Sequence, residues 1–171
     1  MGIFDRLFGK ASPENTSSDH FYVQADGQVM TALSKEWKWL IGDGMRPLRF
    51  TACGDVFLSD TSGAVYWLRT VEGQLEKVAT SQTEFQSKLQ QSEFRETVLQ
   101  VSTVNQLRAM LGALPPGKCY GLKLLPVLGG NYNFENYVHM RLAEHIGFTG
   151  NVRFQVKDLP PGATIQVKMV D

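Results

Sequence analysis

The 171-residue sequence predicts an α+β fold: an antiparallel β-sheet meander with flanking helices in a single compact domain. Three observations carry that expectation. Short runs rich in Val, Phe, Tyr, Trp and Thr follow one another between Leu48 and Ala79, glycine-bearing turns separate them, and capped amphipathic segments come after the strands.

Residues 1–19 read as an N-terminal amphipathic helix and polar linker, and residues 20–171 as one α+β domain. In MGIFDRLFGK, Ile3, Phe4, Leu7 and Phe8 recur at helical spacing while Asp5, Arg6 and Lys10 stay wet. Two uses of that stripe are open: docking on the domain's own core, or a hook for a membrane surface or a partner. Gly2 opens a myristoylation-like start, but Arg6 stands where that motif needs Ser or Thr. The segment ASPENTSSD is polar and has no aromatic residue, as a flexible linker would.

Across residues 31–41, Leu33, Trp37, Leu40 and Ile41 lie at helical spacing, and Gly42-Asp43-Gly44 supplies the stop. Strands are expected at 48–51, 55–59 and 64–70, divided by Cys53-Gly54 and by Asp60-Thr61-Ser62-Gly63. Glu72-Gly73 then turns the chain into Gln74–Ala79, completing a sheet of about four strands. Ser81 with Glu84, and Thr103 with Gln106, fit the capping box, in which two side chains satisfy each other's backbone N–H groups. Phe85 with Leu89, and Val104 with Leu107 and Leu111, supply the buried faces of those helices. Residues 119–127 read as an apolar strand in which Gly121 and Pro126 mark a bulge or an edge. Residues 137–148 fit a helix through Val138, Leu142 and Ile146 and a strand through Val138, Met140 and Leu142; the helix is preferred. Residues 152–156 and 164–169 alternate like strands around the turn Leu159-Pro160-Pro161-Gly162.

Seventeen basic and 17 acidic side chains balance to zero formal charge, so there is no basic stripe for nucleic acid and no global acidity to imitate it. The N-terminus lacks the apolar core and cleavage site of a signal peptide, and no apolar run approaches a transmembrane length. With Cys53 and Cys119 far apart in sequence, reduced thiols in a cytoplasm are expected.

The stretch GALPPGKC at 112–119 imitates a phosphate loop, G-x-x-x-x-G-K-[ST], and fails it. Such a loop needs a strand before it, a helix after it, and a row of backbone N–H donors. Here a helix enters and a strand leaves, Pro115 and Pro116 remove two donors, and Cys119 replaces the hydroxyl that would hold magnesium. The cluster Gly129-Gly130-Asn131-Tyr132 has the residues of a turn that visits positive φ, with Tyr132 and Phe134 available as contacts. His20, His139 and His145 form no H-x-x-x-H pair and neither cysteine has a C-x-x-C neighbour, so no metal and no cofactor is expected. No local nucleophile signature appears and no catalytic residues are assigned; the chain is not expected to be an enzyme. Tyr66 and Trp67 adjoin on one strand and must point to opposite faces, one to the core and the other to a helix layer or solvent. An exposed one would be a strong contact candidate.

Residues 50–85 and 117–137 resemble a bacterial domain family, DUF1851, associated with the C-terminal part of the type VI secretion immunity protein Tdi. The pattern comprises Phe50, Gly54, Asp55 and Phe57, the turn Asp60 to Gly63, and Leu128, Gly129, Gly130 and Asn136; VKDLPPG at 156–162 resembles the KDLPDG ending of many relatives. The resemblance implies a non-enzymatic protein-binding domain that sequesters a secreted toxin of DNase type. Its contact residues are expected among Tyr66, Trp67, Gly129, Gly130, Asn131, Tyr132 and Phe134. The alternative is a small-ligand or regulatory module held at a membrane or a partner by the N-terminal helix. The identity of the partner and the oligomeric state stay open.

Overall fold

The computed structural model describes residues 19–160, 162–164 and 166. The expected N-terminal helix and nearly all of the linker lie outside these residues, as does most of the strand expected at 164–169.

A five-stranded antiparallel sheet is built in chain order from β1 (Tyr22–Val23), β2 (Arg46–Thr51), β3 (Val56–Ser59), β4 (Val65–Arg69) and β5 (Gln74–Ala79). The meander is the expected one; the additional strand is β1, whose Tyr22 and Val23 pair with Thr51 and Phe50. Side chains on β3 and β4 alternate between two apolar clusters. Phe57, Val65 and Trp67 enter one, and Val56, Leu58 and Leu68 enter the other. Both faces are therefore covered, which is why all of β3 is buried and reads as a continuous apolar run.

One face is covered by α1 (Gly27–Glu36) and α6 (Leu142–Val156), which bring Val29, Leu33, Leu142 and Ile146 onto the sheet. Helix α1 starts four residues before the expected position because the Asp26 carboxylate accepts from the Gln28 and Val29 N–H groups at 2.9 and 3.0 Å. It breaks at Trp37, and α2 (Lys38–Ile41) carries on the expected segment. Trp37 is fully buried and its indole N–H donates to the Ile146 carbonyl at 2.9 Å. The two helices approach so closely that a Cβ on Gly150 would stand 2.7 Å from that of Glu36.

The other face is covered by α3 (Gln82–Lys88), α4 (Ser92–Leu99), α5 (Val101–Leu111) and a hairpin of β6 (Lys118–Leu122) and β7 (Tyr137–Arg141). Ser81 caps α3 as expected, but Glu84 reaches back to the Thr80 N–H at 2.7 Å and not to that of Ser81. Thr103 caps nothing. Helix α5 begins at Val101 after Gln100, which adopts φ 51° between α4 and α5, and the Ser102 N–H is taken by Glu96. The helix favoured for 137–148 divides: 137–141 is strand β7, paired with β6, and the helix starts at Leu142. Residues 152–156 are the last turns of that helix and not a strand. The strand expected at 119–127 ends at Leu122, and Pro126 opens a short 3-10 turn, Pro126–Leu128. GALPPGKC is a helix stop and a turn: Gly112 ends α5 at φ 87°, the Lys118 N–H donates to the Pro115 carbonyl at 3.1 Å, and β6 follows.

Candidate interaction site

The residues of the family-like pattern form two polar clips, one buried and one at the surface. The buried clip starts at the turn between β2 and β3. Gly54 adopts φ 86°, and a Cβ there would stand 2.4 Å from the His145 ring, so only glycine admits the imidazole of α6. Asp55 accepts from the Thr70 N–H at 2.9 Å through Oδ1 and from the Trp67 indole N–H at 3.1 Å through Oδ2. The Thr70 hydroxyl lies 2.9 Å from His145 Nε2, 3.2 Å from Asp55 Oδ1 and 3.2 Å from the Gly54 carbonyl. Burial, reinforced by the charge of Glu72, pushes the Asp55 carboxyl up to about 7; burial pushes His145 down to about 4. Both groups are thus held neutral under mildly acidic conditions.

Acid, hydroxyl and imidazole are the ingredients of a nucleophilic triad, yet the arrangement is wrong for one. The acid of a triad orients the imidazole, whereas Asp55 holds the hydroxyl and the indole. Thr70 and His145 are also sealed from solvent, so no substrate can reach them. The cysteines are sealed too: burial raises the thiols of Cys53 and Cys119, keeping both protonated and out of nucleophilic form at neutral pH.

The surface clip is the loop from Lys123 to Asn136. The Asn136 side chain donates to the carbonyls of Leu124 and Asn131 at 2.8 and 2.7 Å and accepts from the Leu124 N–H at 3.1 Å. The Asn131 side chain accepts from the Asn133 N–H at 2.9 Å, closing a second small turn. Gly129 supplies φ 93°, and a Cβ on Gly130 would come within 2.0 Å of the Leu124 carbonyl oxygen, so this crossing admits glycine alone. Leu125, Val127, Leu128 and Phe134 pack the underside onto the core. The outer side leaves Tyr132 at 51% and Leu124 at 44% exposure.

Tyr132 connects the loop to the sheet. Its hydroxyl donates to Glu72 Oε1 at 2.8 Å, and Glu72 is also paired with Arg69 at 3.4 Å. Arg153 of α6 braces the same turn by donating to the Val71 carbonyl at 2.6 Å through Nε. Of the expected contact residues, Gly129, Gly130, Asn131, Tyr132 and Phe134 are together in this loop. Trp67 lies beneath the sheet surface at 5% exposure, and Tyr66 is half-buried on the opposite face with its hydroxyl on Asp60. Asp60 in turn accepts from the Ser62 N–H at 2.8 Å and the Ala64 N–H at 3.0 Å, which explains that turn. Leu124, Glu72 and His145 carry no local sequence signal of a site; Leu124 becomes a contact candidate only because the loop after β6 leaves it exposed. Among the described residues, no group of three or more His, Cys, Asp or Glu could hold a metal ion, and no helix is long and apolar enough to cross a membrane.

Residues 79–153 match the family model for the T6SS immunity protein Tdi1, C-terminal. The match runs from the end of β5 into α6 and contains the whole Asn136-clipped loop, while Gly54, Asp55 and Thr70 lie before it. The chain thus resembles the Tdi C-terminal domain over that span. The crystal structure of Atu4351 from Agrobacterium tumefaciens shares the fold, with a TM-score of 0.52 and 16% identity over 77% of this chain and 67% of that one. No curated protein matches the chain.

Proposed function

We propose that this chain is a non-enzymatic immunity protein that binds and sequesters a secreted bacterial toxin in the cytoplasm. The observation that carries the reading is the loop of the family-matched span, which presents Tyr132 and Leu124 to solvent on a backbone already fixed by Asn136. A preformed contact loop loses little conformational entropy on binding, so its apolar contacts count more fully toward affinity. Tyr132 is the anchor in this proposal; Gly129, Gly130 and Asn131 give the loop its shape, and Phe134 holds it to the core. Residues 20–171 act as the one binding domain. A DNase-type effector is the target implied by the resemblance to the Tdi family.

The test is co-expression with a toxin encoded beside this gene. Cells are expected to survive only with the intact protein, and a Leu124→Ser, Tyr132→Ala double variant should lose both protection and the co-purifying complex while keeping its circular dichroism spectrum. Unchanged killing in the presence of the intact protein would remove the immunity reading.

A further inference from the structure

We propose that the cleft between β1 and the end of α5 binds a small phosphate monoester carrying a planar ring, a nucleoside monophosphate being the simplest such molecule. The cleft holds about 350 Å³ and is lined by His20, Tyr22, Gln24, Arg108, Leu114 and Tyr120 among others. That volume is at the size of small-molecule sites.

Its charge is one-sided. Among the described residues no carboxylate lines it, and Arg108 has no ion-pair partner, while Arg69 and Arg141 elsewhere do. Two further guanidinium groups lie outside the lining but near it: Arg49 lies 4.7 Å from the ring centre of the lining residue Tyr22, and Arg95 lies 5.8 Å from that of its neighbour Phe21. Neither is in an ion pair among the described residues. Burial raises the Tyr22 phenol, and the charges of Arg49 and Arg95 oppose that rise, so both act on the cleft wall. Arg108 in the lining, with Arg49 and Arg95 near Tyr22 and Phe21 and none of the three in an ion pair among the described residues, favours anions there; arginine suits phosphate because its planar fork matches the oxygens.

The remaining lining is aromatic. The His20 ring lies 4.0 Å from that of Phe21 and its Nε2 is held by Asn105 Oδ1 at 3.2 Å. Tyr120 already donates its hydroxyl to the Gly112 carbonyl at 2.8 Å, so its polar end needs no ligand. Tyr120 is buried and closes the floor, while the half-buried rings of His20 and Tyr22 offer flat surface to a planar group and Gln24 offers an amide. None of these residues belongs to the Lys123 to Asn136 loop, so the cleft stands or falls independently of the toxin reading.

Calorimetric titration of the full chain with AMP, GMP, CMP and UMP, against inorganic phosphate and adenosine, tests this. At least one monophosphate should bind saturably, roughly tenfold or more tighter than phosphate or the nucleoside alone. Arg108→Gln should weaken that binding roughly tenfold, without moving the melting temperature of the ligand-free protein; should that variant not fold, Arg95→Gln serves in its place. No saturable binding by any of the four, equal binding of inorganic phosphate, or unchanged affinity in the arginine variant would overturn the proposal.

Discussion

The Asp55–Thr70–His145 clip and the Asn136 clip use the same chemistry, short polar side chains that satisfy backbone groups of a neighbouring segment, yet one is closed to solvent and the other rides the surface. Inside, every unsatisfied donor carries the full desolvation penalty, so the network fixes how α6 meets the sheet. Outside, water can replace a lost bond, and what the network secures is the shape of a contact loop. The difference teaches that location, more than residue type, divides these polar residues between stability and presentation.

Gly54 is the position where the buried clip tolerates substitution least. A methyl there would strike the imidazole from 2.4 Å at a positive φ, and Gly54→Ala should cost about 4 kcal/mol in urea unfolding. An equal loss from Ala at Gly63, which has a similar positive φ but nothing within 4 Å of a Cβ, would show backbone strain alone to be responsible.

The pH dependence sharpens the buried half. An Asp55 carboxyl raised to about 7 stabilises the fold fully below its unfolded value and loses that contribution as pH rises through the folded one. The imidazole lowered to about 4 works the other way in the interval below its ordinary value of about 6.5, because the unfolded state takes up the proton first. The two oppose each other between about pH 4 and 6.5, so the parent protein should show a shallow stability profile there. Asp55→Asn should make stability rise with pH across that window by about 3 kcal/mol, and His145→Gln should make it fall toward pH 7. Parallel slopes in both variants would contradict the assignment.

At the surface, Asn136→Ala removes three hydrogen bonds to the loop and should cost about 2 kcal/mol, with faster amide exchange confined to residues 123–136. Tyr132→Phe, which removes only the bond to Glu72, should cost about 1 kcal/mol or less. A contrast between caps is of similar size: Ser81→Ala should cost about 1 kcal/mol by chemical denaturation, while Thr103→Ala, inside α5, should cost close to nothing.

The meander was legible because its signals are local: β-rich runs between glycine turns, with Gln74–Ala79 at its expected bounds. The capping box at Ser81 was half legible, since the hydroxyl caps as expected while the partner carboxylate finds Thr80. The segment after Thr103 misled because a second S/T-x-x-Q pattern lies within a helix that starts earlier, from a left-handed Gln100 that no composition rule marks. Residues 137–148 satisfied two periodicities because a strand and a helix meet there with no turn between them. In the candidate site, the glycines and Tyr132 stood out by type, whereas Leu124 is an ordinary apolar residue until the loop is drawn.

By itself, the sequence determined the fold class, the strand order of the meander and the failure of GALPPGKC as a phosphate loop, because each rests on neighbours in the chain and on which residues can donate an N–H. Only the tertiary structure decided which polar residues meet. His145 reaches Thr70 across 75 positions and Tyr132 reaches Glu72 across 60, and contacts at such separations are set by how helices and hairpins close over the sheet. It also set Trp67 in the core and left Tyr66 half-buried on the opposite face, since alternation assigns two faces without saying how each is covered.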